Sequence, residues 1–226
     1  MEAREAHVKV WDVPVRLFHW LLVLLFAFMF ASGKAGSEWI AWHMRAGYAV
    51  LALVLFRLLW GFAGSTHARF SSFLARPATC FGFAKKLFAR APAPYAGHNP
   101  LGGWMVLVLL LGLLLQTGTG LFSNDDLLNE GPLAVLVSKT TSDRISNVHV
   151  WNFNVLLLLV GLHISAVLYH AGFMKENLIG AMFTGVKRMP ADAAGSAATR
   201  FASPWLALAL LCVAALAVYL IVQRPF

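Results

Sequence analysis

His149 and His163 stand fourteen residues apart within residues 148–171, a stretch without one charged side chain, and His170 lies at its end. An imidazole can ligate a metal, carry a proton or simply hydrogen-bond. In hydrocarbon such a group is costly unless it faces the protein interior and binds something. On an α-helix fourteen residues make nearly four turns, so both rings leave one face about 21 Å apart along the axis. One face thus offers two sites at two depths. The chemistry that suits them is axial ligation of haem iron by neutral imidazole. For any one ring, a hydrogen bond to a carbonyl of a neighbouring helix is the alternative.

The element that positions these rings is as long as a helix crossing a bilayer core of roughly 30 Å. Four more apolar runs accompany it, at residues 15–32, 40–62, 101–122 and 204–222. The first holds His19, the second holds His43, and the third and fifth hold no histidine. A secretory signal peptide is the rival reading of the first run. Its apolar region should be about 7–15 residues and end in an A-x-A-like site, whereas this run is longer and ends in Ser32-Gly33-Lys34. Composition agrees with a membrane protein. Of 226 residues 59% are hydrophobic and 12% charged, with mean hydropathy +0.70, against about 25% charged in soluble domains. Cys80 and Cys212 are far apart and no C-x-x-C-H occurs, so covalent haem, zinc ribbons and a disulfide framework are disfavoured. The net charge of +8 comes from loop cations that membrane topology explains, and nucleic-acid binding is not expected.

Counted by loop, Lys and Arg number three, five and four in the N-terminus, second loop and fourth loop, against one, two and one elsewhere. Cytoplasmic loops carry that excess, so the N-terminus is expected in the cytoplasm and the C-terminus in the periplasm of a bacterial inner membrane. Span direction then gives depth. His19 and His163 lie toward the cytoplasmic face, His43 and His149 toward the outer face. Two bis-His haem b groups follow, His19 with His163 and His43 with His149. Arg16, Arg45 and Arg57 are placed to pair with haem propionates, or to snorkel to headgroups. Gly47 and Gly161 leave room for a porphyrin edge or for helix packing. Trp11, Trp39, Trp42, Trp60, Trp104 and Trp205 read as an interfacial belt. His170, at the cytoplasmic boundary, is expected to be a solvated histidine, with a role as spare ligand or quinone proton acceptor as the sharper alternative; His7, His67 and His98 are expected to have no cofactor role.

Residues 81–88 interleave Phe81, Phe83, Leu87 and Phe88 with Lys85 and Lys86, the pattern of a helix lying on headgroups. Pro77, Pro92 and Pro94 break the connection around it. Asp125, Asp126, Glu130 and Asp143 make residues 123–147 the acidic loop, able to steer a basic redox protein.

The segments VWDVPVRLFHW, WHMRAGYAVLALVLFRLLW, GHNPLGGWMVLVLLLGLLLQTGTGLF and VHVWNFNVLLLLVGLHISAVLYH resemble the bacterial cytochrome b-561 family, which includes the b-type subunits of nickel-iron hydrogenases. The resemblance covers residues 8 to about 188. It implies a four-helix di-haem core with ligands at His19, His43, His149 and His163, and the fourth-helix spacing is its most specific element. The expected fold class is therefore all-α, an integral membrane four-helix di-haem bundle plus one extra C-terminal transmembrane helix, with residues 1–190 as the cytochrome domain and 191–226 as linker and fifth helix. The expected function is electron transfer between the quinone pool and a redox partner, a periplasmic c-type cytochrome or a hydrogenase-like enzyme. A superoxide:quinone oxidoreductase of the same fold is the alternative. A His-lined transition-metal permease is the reading from another class, and the lack of Asp or Glu in all five runs speaks against it. No side-chain set reads as an independent catalytic nucleophile or acid–base pair, so the chemistry falls to cofactors.

Overall fold

Asp12 starts the first span. Its Oδ1 accepts the Val15 amide at 2.7 Å, satisfying one of the N–H groups a helix leaves without a partner in its first turn, a cap worth about 1 kcal/mol. The computed structural model describes residues 5–88, 95–126, 129–191 and 199–223. Arg4, Arg90, Pro92, Pro94, Arg224 and the small-residue linker at 193–198 lie outside the described residues.

Strand β1 (Glu5–Lys9) precedes α1 (Val13–Ser32), and a single 3-10 turn at Ser37–Trp39 leads into α2 (Ile40–Ala63). The chain continues through α3 (Phe70–Phe73), α4 (Pro77–Phe88), α5 (Pro100–Gly120), α6 (Lys139–Gly172), α7 (Leu178–Thr184), β2 (Val186–Pro190) and α8 (Pro204–Val222). Among the described residues, α1, α2, α5, α6 and α8 are long and apolar enough to cross a membrane. They coincide with the five apolar runs, except that α6 begins well upstream at Lys139. Leu24, Leu158, Leu216 and Leu220 on these helices are each more than half exposed, as side chains that meet lipid should be. The fold is an all-helical membrane architecture with one small sheet added.

By its internal contacts the chain divides into two units, each assembled from three separate stretches. The unit of Phe18–Leu58, Leu109–Leu158 and Leu208–Phe226 holds two apolar clusters. One joins Val50, Val54, Leu113 and Leu156 from α2, α5 and α6, with Leu22, Phe26 and Met29 of α1 packed against it. The other joins Leu51, Leu121 and Val218, so α8 packs its Val218 face against α2 and the end of α5. Burying side chains of this size contributes about 1.5–3 kcal/mol each in a soluble core. Between helices in lipid it is close packing, not exclusion from water, that holds them.

The other unit is Met1–Leu17, Leu59–Val108 and Leu159–Ala207. It contains a sheet the sequence reading did not anticipate. β1 and β2 pair antiparallel from Glu5↔Pro190 to Lys9↔Val186. Gly185 makes the junction between α7 and β2. It caps α7 at φ 81°, its carbonyl accepts the Val10 and Trp11 amides at 2.8 and 3.1 Å, and a Cβ there would stand 2.7 Å from the Trp11 carbonyl oxygen. Positive φ and close approach together require glycine. Two tryptophans assigned to an interfacial belt are instead buried here. Trp60 is fully enclosed and donates its indole N–H to Asp12 Oδ2 at 3.0 Å. Trp11 is buried with its ring 4.7 Å from that of His98. An indole with a carboxylate partner gains more from burial than from the headgroup layer. Trp39, Trp42, Trp104 and Trp205 are exposed, as belt residues should be. α4 is amphipathic as expected, with Phe81 exposed and Phe83 buried.

Candidate functional site

His43, in the first turn of α2, and His149, from α6, lie in the same unit with ring centroids 6.4 Å apart and planes at 75°. Both rings turn Nδ1 toward protein acceptors. His43 Nδ1 is 3.1 Å from Ser32 Oγ at the end of α1. His149 Nδ1 is 2.9 Å from the Gln116 carbonyl oxygen and 3.2 Å from Thr119 Oγ1, both on α5. The Gln116 carbonyl can only accept, so His149 carries its proton on Nδ1 and presents the lone pair of Nε2. Around the rings the packing is tight and small. A Cβ on Gly33 would stand 3.2 Å from His43 Cε1, and one on Gly120 would stand 3.1 Å from His149 Cε1. Leu22, Phe26, Val50, Leu113 and Phe153 line an apolar crevice that includes His43. Next to it Asn152 is buried and donates Nδ2 to the Gly112 carbonyl and to Gln116 Oε1 at 2.9 and 2.7 Å. The hydrogen-bond partners of the two rings are all neutral.

Two imidazoles with this spacing can share one metal. With metal–nitrogen bonds of about 2.0–2.1 Å and rings about 1.2 Å in radius, their centroids would be roughly 6.4 Å apart. A bare zinc-type ion needs about four protein ligands, and among the described residues no three His, Cys, Asp or Glu side chains converge. An iron porphyrin, which brings its own four nitrogens, needs only two.

The other residues expected at the site fall as follows. His19 and His163 belong to different units; His19 packs edge-on against Trp20 at 4.9 Å, and both rings are partly buried. Arg16 gives Nη2 to the Phe183 carbonyl. Arg45 is exposed with its guanidinium 5.0 Å above the Trp42 ring, which holds it at the level of the belt. Arg57 is buried in α2. Gly47 has only Met29 Cε near the position of a Cβ, at 3.6 Å, and Gly161 opens onto free space.

His170 departs from expectation. It is 6% exposed, not solvated, and its Nδ1 lies 2.7 Å from Glu176 Oε2. Glu176 Oε1 takes Lys187 Nζ at 2.5 Å, and the same ammonium donates to the Tyr95 carbonyl. Burial pushes the Glu176 carboxyl up, but the hydrogen bond from His170 and the Lys187 charge outweigh it and hold the group down at about 2. Lys187 is buried because β2 turns it and Met189 to the same inner face; the sequence reading had counted it as a loop cation. His67 is held by Thr199 Oγ1 at 3.0 Å, with its pKa lowered by burial and by Lys187. His98 is wedged between Trp11 and Phe73.

Five apolar helices define a multi-pass membrane protein, within which the His43 and His149 rings lie 6.4 Å apart. The chain belongs to the prokaryotic cytochrome b561 family, whose model matches residues 10–185. Among curated proteins it is similar to the probable Ni/Fe-hydrogenase B-type cytochrome subunit of Rhizobium leguminosarum bv. viciae, 26% identical over 211 residues that cover 79% of this chain and 87% of the relative. It is also similar to the subunits of that name from Azotobacter chroococcum, 24% identical over 84% of this chain and 92% of the relative, and Rhodobacter capsulatus, 23% identical over 84% of each. No solved structure matches the chain. Family membership makes the protein a membrane electron carrier that uses haem b. The His43 and His149 pair fits that group in donor chemistry, ring spacing and the glycine-lined seats of both rings.

The second set of contacts around these rings was missed from the sequence. Ser32 stands in the sequence only as the end of a span, and nothing there marks Thr119. The signal is a hydroxyl at about the depth of each ring.

Proposed function

We propose that the chain holds two haem b groups, one between His43 and His149 and one between His19 and His163, and passes electrons between membrane quinone and a redox enzyme. The observation that carries this is the His43–His149 pair, with centroids 6.4 Å apart and both Nδ1 atoms hydrogen-bonded to protein. Matching depths in oppositely directed spans support the His19–His163 pair. Haem, when bound, would supply one-electron oxidation and reduction at iron; His43 with His149 and His19 with His163 would hold it, and the neutral partners of the first pair would keep those rings oriented and uncharged. Arg16, Arg45 and Arg57 would pair with haem propionates, and Gly47, one turn after His43, would lie beside a porphyrin edge. The relatives named as hydrogenase B-type cytochrome subunits favour a hydrogenase-like enzyme over a free c-type cytochrome as partner. The N-terminus lies in the cytoplasm of a bacterial inner membrane, by the loop cations.

Haem content and redox titration of four variants test the pairing. His43→Ala and His149→Ala are each expected to abolish one b-type redox component, and His19→Ala and His163→Ala the other, because low-spin bis-His iron needs both axial ligands. If His43→Ala and His163→Ala remove the same component, the pairing is wrong. A purified protein without a reduced b-type α-band would instead turn attention to the metal-permease reading.

A further inference from the structure

We infer that Ser32 and Thr119 are positioning residues that set the electron-donating strength of His43 and His149, and hence the potential of the haem between them. The inference rests on the pairing of those two ligands proposed above. A hydroxyl has one proton to donate. Ser32 Oγ stands 2.8 Å from the Phe28 carbonyl oxygen, and Thr119 Oγ1 stands 2.7 Å from that of Leu115 and 3.0 Å from that of Gln116. Carbonyl oxygens only accept, so both hydroxyl protons are committed to the helix backbone. What each hydroxyl has left for the ring beside it is a lone pair. It follows that His43 donates its Nδ1–H to Ser32 at 3.1 Å, and that His149 donates to Thr119 at 3.2 Å as well as to the Gln116 carbonyl at 2.9 Å. Both rings are thereby fixed with Nε2 unprotonated.

An acceptor at Nδ1–H raises the basicity of a ligating imidazole and favours the ferric state. The two ligands are served alike. Each ring has a backbone carbonyl beside its hydroxyl, Met29 for His43 and Gln116 for His149, and the hydroxyl differs in kind and distance, Ser32 at 3.1 Å and Thr119 at 3.2 Å. Ser32→Ala and Thr119→Val should therefore each raise the midpoint potential of one and the same haem component, and the other component should stay where it is. Ser32→Thr keeps a hydroxyl and should return the potential toward that of the parent.

The measurement is a redox titration of purified protein, with the reduced α-band read alongside to count haems. With both haems present, a component unmoved by Ser32→Ala, a shift of both components, or an equal shift in Ser32→Thr would each overturn the inference. Should Ser32→Ala fail to retain haem, Thr119→Val decides, since the Gln116 carbonyl still holds its ring: an unmoved potential there refutes the inference. Failure of the ligand pairing itself reads out differently, as retention of that component in His43→Ala or His149→Ala.

Discussion

His149 and His170 sit on one helix, α6, yet the chain surrounds them with opposite chemistry. His149 meets a carbonyl and a hydroxyl; His170 meets a carboxylate that also binds a buried ammonium. The Gln116 carbonyl orients the His149 ring and leaves its Nε2 with a lone pair. A carboxylate ties the ring into an ion-pair network instead, and here that network joins α6, the turn after it and β2. On one helix, then, one imidazole is held by neutral acceptors and the other is tied into a charged cluster.

The largest expected effect that sharpens this contrast is on stability. Glu176→Gln removes the charge that compensates the buried Lys187 ammonium and leaves it neutral acceptors, the Tyr95 carbonyl among them, and losing the charged partner of a buried pair costs about 3–5 kcal/mol. The acid side follows from the same group. Its folded pKa is depressed from 4.5 to about 2, so its contribution is full above the ordinary carboxylate value and is lost as pH falls through that window. Thermal unfolding in detergent, followed as pH is lowered, should show the parent losing stability there and Glu176→Gln showing a flatter dependence. Equal slopes would remove Glu176 from the network.

Next in size is an effect on the haems. His170→Ala should retain both b-type components while lowering the unfolding temperature. Loss of a component in that variant, with His163→Ala unaffected, would make His170 the ligand and dissolve the contrast. A smaller perturbation is expected from Gly120→Ala, whose Cβ would press on His149 Cε1 at 3.1 Å: lower haem occupancy in one component, measured by pyridine haemochrome, against no change for Gly161→Ala, whose Cβ meets open space.

The spans were legible because a helix in hydrocarbon must be apolar along about 20 residues, and the run at 204–222 is α8 to the residue. His43 and His149 were expected at one depth because period and direction convert sequence position into depth, and their rings lie 6.4 Å apart. What escaped was decided by pairing across distant segments. Val186–Pro190 reads as a polar loop until β1 supplies its partner strand. Trp60 reads as a belt residue until Asp12, forty-eight positions away, meets its indole. His170 reads as a surface group until Glu176 and Lys187 close over it. Ser32 escaped for the opposite reason: it is local, but its role depends on a ring brought from α2.

The smallest effect concerns the acidic loop, on the side proposed as outer. Sequence alone made it a patch of four carboxylates able to steer a basic partner. In the structure Lys139 sits between Asp126 and Asp143 and binds both, so two of the four charges are partly offset by a cation within the same surface. Exposed pairs of this kind contribute little to stability, but they change the field a partner meets within a Debye length, roughly 8 Å at physiological salt. Electron transfer to a basic soluble protein should slow as ionic strength rises and slow slightly in an Asp125→Asn, Asp126→Asn double variant. Lys139→Gln should act in the other direction, raising the low-salt rate by uncovering two carboxylates, with haem content unchanged. A rate that ignores both salt and Lys139→Gln would mean that these charges mark only the side excluded from the cytoplasm, and that the partner stays bound to the chain through other contacts.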